Sequence, residues 1–138
     1  MFVFRKWTVY RVASEVSRRL GVESVRWPRP HWALGDQVRR SSSSVVLNIA
    51  EGAGQPRGSN AKKRHYEIAM GSAYETAANV EEAAGLGLVP EALAAELMGQ
   101  LEEVAAMLGG LLRSVRRQRM AHSRSAKPRA SATTDSSR

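Results

Sequence analysis

The chain has 138 residues, 43% of them hydrophobic, with no cysteine and a formal net charge of +8. That length suits one domain with a packed core, and the missing thiols exclude disulfide frameworks, thiolate zinc sites, cysteine nucleophiles and cysteine-ligated iron–sulfur clusters. No apolar run approaches the roughly 20 residues that span a bilayer, and Met1 to Trp7 lacks the apolar stretch of a signal peptide, so a cytoplasmic protein with no membrane partner is expected.

The periodicity predicts four helices and no strand. Helix one is expected over about residues 4–20, where Val9, Val12, Ala13, Val16 and Leu20 recur at spacings of three and four. Gly21 is read as its stop, and Pro28 and Pro30 keep the connector from being helical. Helix two is expected over about 32–52, with Leu34, Val38, Ser42, Val45 and Ile49 on one stripe. Ser41 to Ser44 sit inside that stripe without changing its phase. They are read as small residues that let a neighbouring helix approach, since no general base stands at a recognisable spacing from them. Gly52, Gly54, Pro56 and Gly58 then mark a loop.

Helix three is expected over about 60–85, capped by Ser59 or Asn60, with Ile68, Ala69, Ser72, Ala73, Thr76, Val80 and Ala84 as a narrow face. Helix four is expected over about 90–117. Leu97, Leu101, Val104, Leu108, Leu111 and Val115 alternate spacings of four and three, a heptad seam. Beyond it Met120 is the only large apolar side chain. So little apolar area does not offset ordering entropy, and residues 118–138 are expected to be a disordered basic tail on a bundle domain of 1–117. Short connections between four helices imply an all-α, up-down-up-down antiparallel four-helix bundle.

Charge is partitioned along the chain. Residues 1–64 carry 13 basic and four acidic side chains, residues 65–112 carry eight Glu and no Lys or Arg, and residues 113–138 carry eight basic and one acidic. The basic parts suit nucleic acid. Alternatively, a basic surface of one subunit meets the acidic segment of the next, a heterologous contact that closes into a ring. In an antiparallel bundle one end gathers Arg5, Lys6, Arg57, Lys62, Lys63, Arg64, Arg113, Arg116, Arg117 and Arg119. These ten are the candidate nucleic-acid-binding residues, and exposed amides at the start of helix three are candidate phosphate donors.

No pattern points to catalysis, a metal or a cofactor, and a non-enzymatic protein is expected. None of His31, His65 and His122 follows a Glu by three residues, as a carboxylate-bridged bundle site requires. His65 is placed near the solvated basic end. The run Gly52 to Ser59 lacks Gly-Lys-Ser/Thr and follows a helix instead of a strand. Asn48 with Glu51, and Ser72 with Glu75, lie one turn apart on their helices and are expected to face inward, with Arg39 or Arg40 as partners. They form either a polar site between helices or a network that fixes register. The second is preferred, because no nucleophile or metal ligand joins them. Trp27 and Trp32 flank the prolines and either stack on bases or cover one end of the core; the second is preferred.

Two stretches are distinctive: Leu34-Gly35-Asp36-Gln37-Val38-Arg39-Arg40 followed by Ser44-Val45-Val46-Leu47-Asn48-Ile49-Ala50-Glu51-Gly52, and Ala69-Met70-Gly71-Ser72-Ala73-Tyr74-Glu75-Thr76. With the Trp7-Thr8-Val9-Tyr10 start, they resemble the bacterial four-helix-bundle family of 23S ribosomal RNA intervening-sequence proteins over about residues 5–115. The resemblance extends in fold to the accessory protein of diversity-generating retroelements, a pentameric barrel that binds nucleic acid and a reverse transcriptase. It implies a homo-oligomer, a pentamer first, RNA as the favoured nucleic acid, and a reverse transcriptase as partner. Where the family has an aromatic and a basic residue soon after Glu-Gly, this chain has Ala53-Gly54-Gln55-Pro56-Arg57, a late base and no aromatic.

Overall fold

The computed structural model describes residues 1–126. Four helices carry the fold: α1 (Thr8–Ser24), α2 (Trp32–Ala53), α3 (Asn60–Gly85) and α4 (Glu91–Ala126). Short 3-10 turns precede α1 (Val3–Lys6) and α2 (Arg29–His31), and no strand occurs among the described residues. Each helix packs on its two neighbours in the cyclic order α1, α2, α3, α4, without diagonal contact. Side-chain pairing fixes the directions. Asn48, Ser44 and Ser41 of α2 meet His65, Ser72 and Thr76 of α3 in opposite chain order. Thr8 and Val9 of α1 lie by Gly110 and Leu111 of α4, while Arg19 reaches Glu96 and Gln100. The bundle is up-down-up-down and antiparallel.

Each stripe buries what its spacing promised, with local exceptions. Val9, Ala13, Val16 and Leu20 of α1 are buried, as are Val38, Val45 and Ile49 of α2 and Leu97, Leu101, Val104, Leu108 and Val115 of α4. The core divides into two apolar clusters. One, toward the start of α1, contains Val9, Val45, Ile49, Tyr66, Leu108 and Val115. The other contains Val16, Leu20, Val38, Val80, Leu97 and Leu101. Buried Ser41, Ser42, Thr76 and Asn79 lie at the level where the clusters meet. Small hydroxyl side chains there let α2 and α3 approach closely. They hydrogen-bond locally, Ser41 Oγ to the Val38 carbonyl (3.3 Å) and Ser42 Oγ to the Arg39 carbonyl (3.2 Å).

The boundaries correct three expectations. Helix one starts and ends four residues late: residues 3–6 form a 3-10 turn, Trp7 is extended, and the helix runs through Gly21 to Ser24. Gly21 does not adopt positive φ, which occurs only at Gly58 and Gly87 among the described residues. It therefore lacks the left-handed geometry that ends a helix, and the proline pair imposes the stop. The face of α3 is also rotated. Ile68 is exposed, and Tyr66, Asn79 and Ala83 are buried with Ala69, Ala73, Thr76 and Val80. Finally, α4 continues through residues 118–126, where a disordered tail was expected. Propagating an existing helix needs only modest propensity per residue, unlike nucleating one, and Gln118 is seated against the α2–α3 loop at Gly58. The rest of the expected tail, residues 127–138, lies outside the described residues. Trp27 packs half-buried on the second cluster, whereas Trp32 is 68% exposed and covers no core.

Candidate nucleic-acid interface

The loop from α2 to α3 turns at Gly58, whose φ of 70° favours glycine. A side chain there would also press on Gln118 Cβ at 3.2 Å and on the Gln118–Arg119 backbone at 3.3 Å. The loop therefore lies directly against α4, and Arg57 shares a recess there with Ser114 and Gln118. The recess, of about 390 Å³, is lined by Trp7 just before α1, by the loop and by residues of α2, α3 and α4, among them Arg57, Lys62, Tyr66, Ser114 and Gln118. The structure thus brings together the start of α1, the loop, the start of α3 and the late part of α4.

The ten candidate cations are not equivalent. Arg5, Lys6, Arg57, Arg64, Arg113, Arg116 and Arg117 are exposed, and Arg119 is half-buried. Among the described residues none of these eight pairs with a carboxylate. Lys63 does, with Glu67 one turn on (3.7 Å). Lys62 turns inward: its ammonium donates to the Gly52 carbonyl at 2.8 Å and the Ala53 carbonyl at 3.4 Å, and lies 5.6 Å from the centre of the Tyr66 ring. It thereby satisfies carbonyls at the C-terminus of α2, where the helix dipole favours a cation. Partial burial lowers its pKa from the ordinary lysine value. Lys62 is a helix cap more than a phosphate ligand. The amides at the start of α3 are also partly used: Ser59 Oγ accepts from the Lys62 N–H (3.1 Å) and the Ser59 carbonyl from the Lys63 N–H (3.2 Å).

The polar network between α2 and α3 has a different membership from the one expected. Asn48 donates to the Ser44 carbonyl (2.9 Å) and its Oδ1 lies 3.0 Å from His65 Nδ1. Glu51 Oε2 lies 3.2 Å from the same nitrogen. Both neighbours of Nδ1 are acceptors, so Nδ1 carries the proton. Ser44 Oγ bonds Ser72 Oγ (2.8 Å), Thr76 Oγ1 donates to the Ser72 carbonyl (2.7 Å) and bonds Ser41 Oγ (2.9 Å), and Asn79 Nδ2 donates to Ser41 Oγ (3.4 Å). Asn48, Glu51 and Ser72 belong to this network. Glu75, Arg39 and Arg40 do not. Glu75 is exposed and has no polar partner among the described residues, because at 100° per residue Thr76, and not Glu75, shares the inward face with Ser72. Arg39 donates to Ser24 Oγ (3.0 Å), and Arg40 pairs with Asp36 one turn earlier (3.1 Å).

His65, Ser44, Ser41, Thr76 and Asn79 were missed as members. A signal existed for His65. Gly52 lies one turn beyond Asn48 and opens room for α3: a Cβ on Gly52 would stand 3.2 Å from His65 Cβ. Among the described residues no cluster of three or more His, Asp or Glu is arranged to hold a metal ion, and no helix is long and apolar enough to cross a membrane.

The family model for the 23S rRNA-intervening sequence protein matches residues 5–110. The chain belongs to this family. No curated protein matches it. The family match takes in α1 to α3, most of α4, the whole polar network and the basic residues from Arg5 to Arg64. Arg113, Arg116, Arg117 and Arg119 lie beyond the matched residues.

Proposed function

We propose that this intervening-sequence family member is a non-enzymatic, self-assembling cytoplasmic protein that binds RNA at the basic end of its bundle, through phosphates. The observation that carries the reading is the group of seven exposed cations at that end, Arg5, Lys6, Arg57, Arg64, Arg113, Arg116 and Arg117, none of them neutralised by a carboxylate among the described residues. Unpaired cations on one surface attract a polyanion and repel each other in its absence. RNA is favoured over DNA by the family description alone. An RNA gel shift or anisotropy titration near physiological salt tests the reading; no binding to any RNA or DNA at micromolar protein would leave the rival reading, a structural homo-oligomer or protein-interaction module.

Self-assembly is supported by an apolar groove of about 350 Å³ between α3 and α4, lined by Ala73, Tyr74, Ala77, Met98, Leu101 and Ala105 with Glu102 at its side. The acidic segment of residues 65–112, in α3 and the first part of α4, flanks it, while α2 presents Arg39, Arg40 and the exposed Leu47 on another face. Only Arg19 of α1 bridges to an α4 carboxylate, Glu96, within the described residues. The remaining acids and bases suit a head-to-tail contact between copies that closes into a ring. A pentamer and a reverse transcriptase partner follow from the accessory-protein resemblance. Light scattering is expected to give several times the chain mass, and a monomer at micromolar concentration would contradict assembly.

A further inference from the structure

The basic end also carries aromatic rings outside the core. Phe2 stacks on Phe4 with ring centroids 5.7 Å apart and planes 26° from parallel. Phe4 in turn meets Tyr10 edge-on at 4.8 Å. The turn that presents them is well tied. The Arg5 N–H donates to the Phe2 carbonyl (3.3 Å), the Trp7 N–H to the Phe4 carbonyl (2.9 Å), and Arg11 Nε of α1 to the Arg5 carbonyl (3.2 Å). Val3–Lys6 also packs against α1 and α2. Phe4 and Tyr10 are half-buried and act as a footing. Phe2 is 73% exposed and belongs to neither core cluster.

Such a ring, covered on one face by Phe4 and open on the other, has a π-face with no partner in the subunit. Three cations follow it closely in sequence, Arg5, Lys6 and Arg11, all exposed and none paired with a carboxylate among the described residues. Open aromatic faces beside a cationic track are how single-stranded nucleic acid is held without sequence readout: bases stack and phosphates meet the charges. A duplex cannot use such a face, because its bases are already stacked. We infer that the Phe2–Phe4–Tyr10 stack is a platform for an unpaired base of single-stranded RNA, with Arg5, Lys6 and Arg11 on the adjoining phosphates. This rests on the RNA-binding reading and adds to it the strandedness of the ligand and a contact to bases. Phe2 and Phe4 lie before the matched family segment, and Tyr10, Arg5, Lys6 and Arg11 lie within it.

The test compares three probes in anisotropy titrations: an oligoadenylate of about twelve nucleotides, an abasic phosphodiester of equal phosphate number, and a duplex RNA. Wild type is expected to bind the oligoadenylate about 5- to 150-fold more tightly than the abasic strand, the range that one stacked base contributes, and more tightly than the duplex. Phe2→Leu, which keeps apolar bulk without a π-face, is expected to remove that difference and leave abasic binding unchanged. Phe2→Trp is expected to restore it. If wild type and Phe2→Leu bind the oligoadenylate equally, the platform is overturned while phosphate binding stands. If no probe binds, the RNA-binding reading itself fails. If Phe2→Leu lowers the assembled mass by light scattering and leaves the base-dependent difference intact, Phe2 is a subunit contact and the inference is wrong.

Discussion

At Gly52 a methyl group would stand 2.5 Å from Tyr66 Cε1 and 2.8 Å from its Cδ1, inside a buried contact. Gly52→Ala must push the ring or part α2 from α3, and overpacking of this kind costs about 1–3 kcal/mol. At Gly99 the same methyl meets nothing within 4 Å, so Gly99→Ala is expected to raise stability by about 0.5–1 kcal/mol through helix propensity. Thermal melts of the two variants should therefore move in opposite directions. Asn48→Ala strands part of a half-buried network and is expected to cost about 1–3 kcal/mol, while Glu75→Ala is expected to fall within about 0.5 kcal/mol of wild type. Glu75 shows why this part of the site was not legible in the sequence. One turn from Ser72 is a correct spacing for a shared face, yet the face is narrow and Thr76 holds the inward place. Tyr66 gives a pH signature. Burial pushes its phenol up to about 12 from an ordinary value of 10. Below pH 10 both states keep the proton; between about 10 and 12 the unfolded chain loses it first, so stability falls as pH rises. Tyr66→Phe is expected to lack this alkaline loss in denaturant titrations across that range. The lowered pKa of Lys62 acts in the opposite sense.

Among the elements, α4 was the most legible and also the most misjudged. Leu97, Leu101, Val104, Leu108, Leu111 and Val115 announce a seam because leucine and valine at alternating four and three admit one helix face, and all but the half-buried Leu111 are buried. The end of the helix carried no comparable signal. Past Val115 no buried apolar residue occurs among the described residues, and burial is the quantity that periodicity reads. Helix 118–126 persists by propagation and by the seat of Gln118 on the loop at Gly58, a contact made by backbone in the absence of a hydrophobic pattern. The limits of α3 were legible for the converse reason. Ser59 is a strong capping residue, and its hydroxyl does accept the Lys62 N–H. The connection between α2 and α3 has a further pin in Lys62 itself. Lys62→Met keeps most of the side-chain stem and removes the ammonium from the Gly52 and Ala53 carbonyls, with an expected loss of about 0.5–1.5 kcal/mol by chemical denaturation. The same variant is expected to change the salt dependence of RNA binding by well under one unit, since its charge already faces a helix end.

For the whole molecule, the antiparallel order of the helices turns a charge pattern scattered along the chain into one surface. Arg5 and Arg117 are remote in sequence, yet the recess that reaches from Trp7 to Gln118 places their neighbourhoods side by side. That juxtaposition was legible as soon as four helices and three short connections were recognised. Which cations are already committed to protein partners was not, because it depends on rotamers: Lys62 and Lys63 read the same as Arg64 in sequence. The central claim is that the exposed cations hold RNA phosphates, and one measurement addresses it directly, the slope of log Kd against log salt for a single-stranded RNA. It is taken for wild type and for a variant carrying Arg57→Gln, Arg64→Gln, Arg113→Gln, Arg116→Gln and Arg117→Gln, with thermal melts to confirm that both are folded. Each phosphate contact on a single strand contributes about 0.7 units of slope. The account predicts a steep wild-type slope that the five changes flatten by up to about 3.5 units per engaged subunit, with weaker binding at every salt concentration. A folded variant that binds RNA with the wild-type slope and affinity would contradict it.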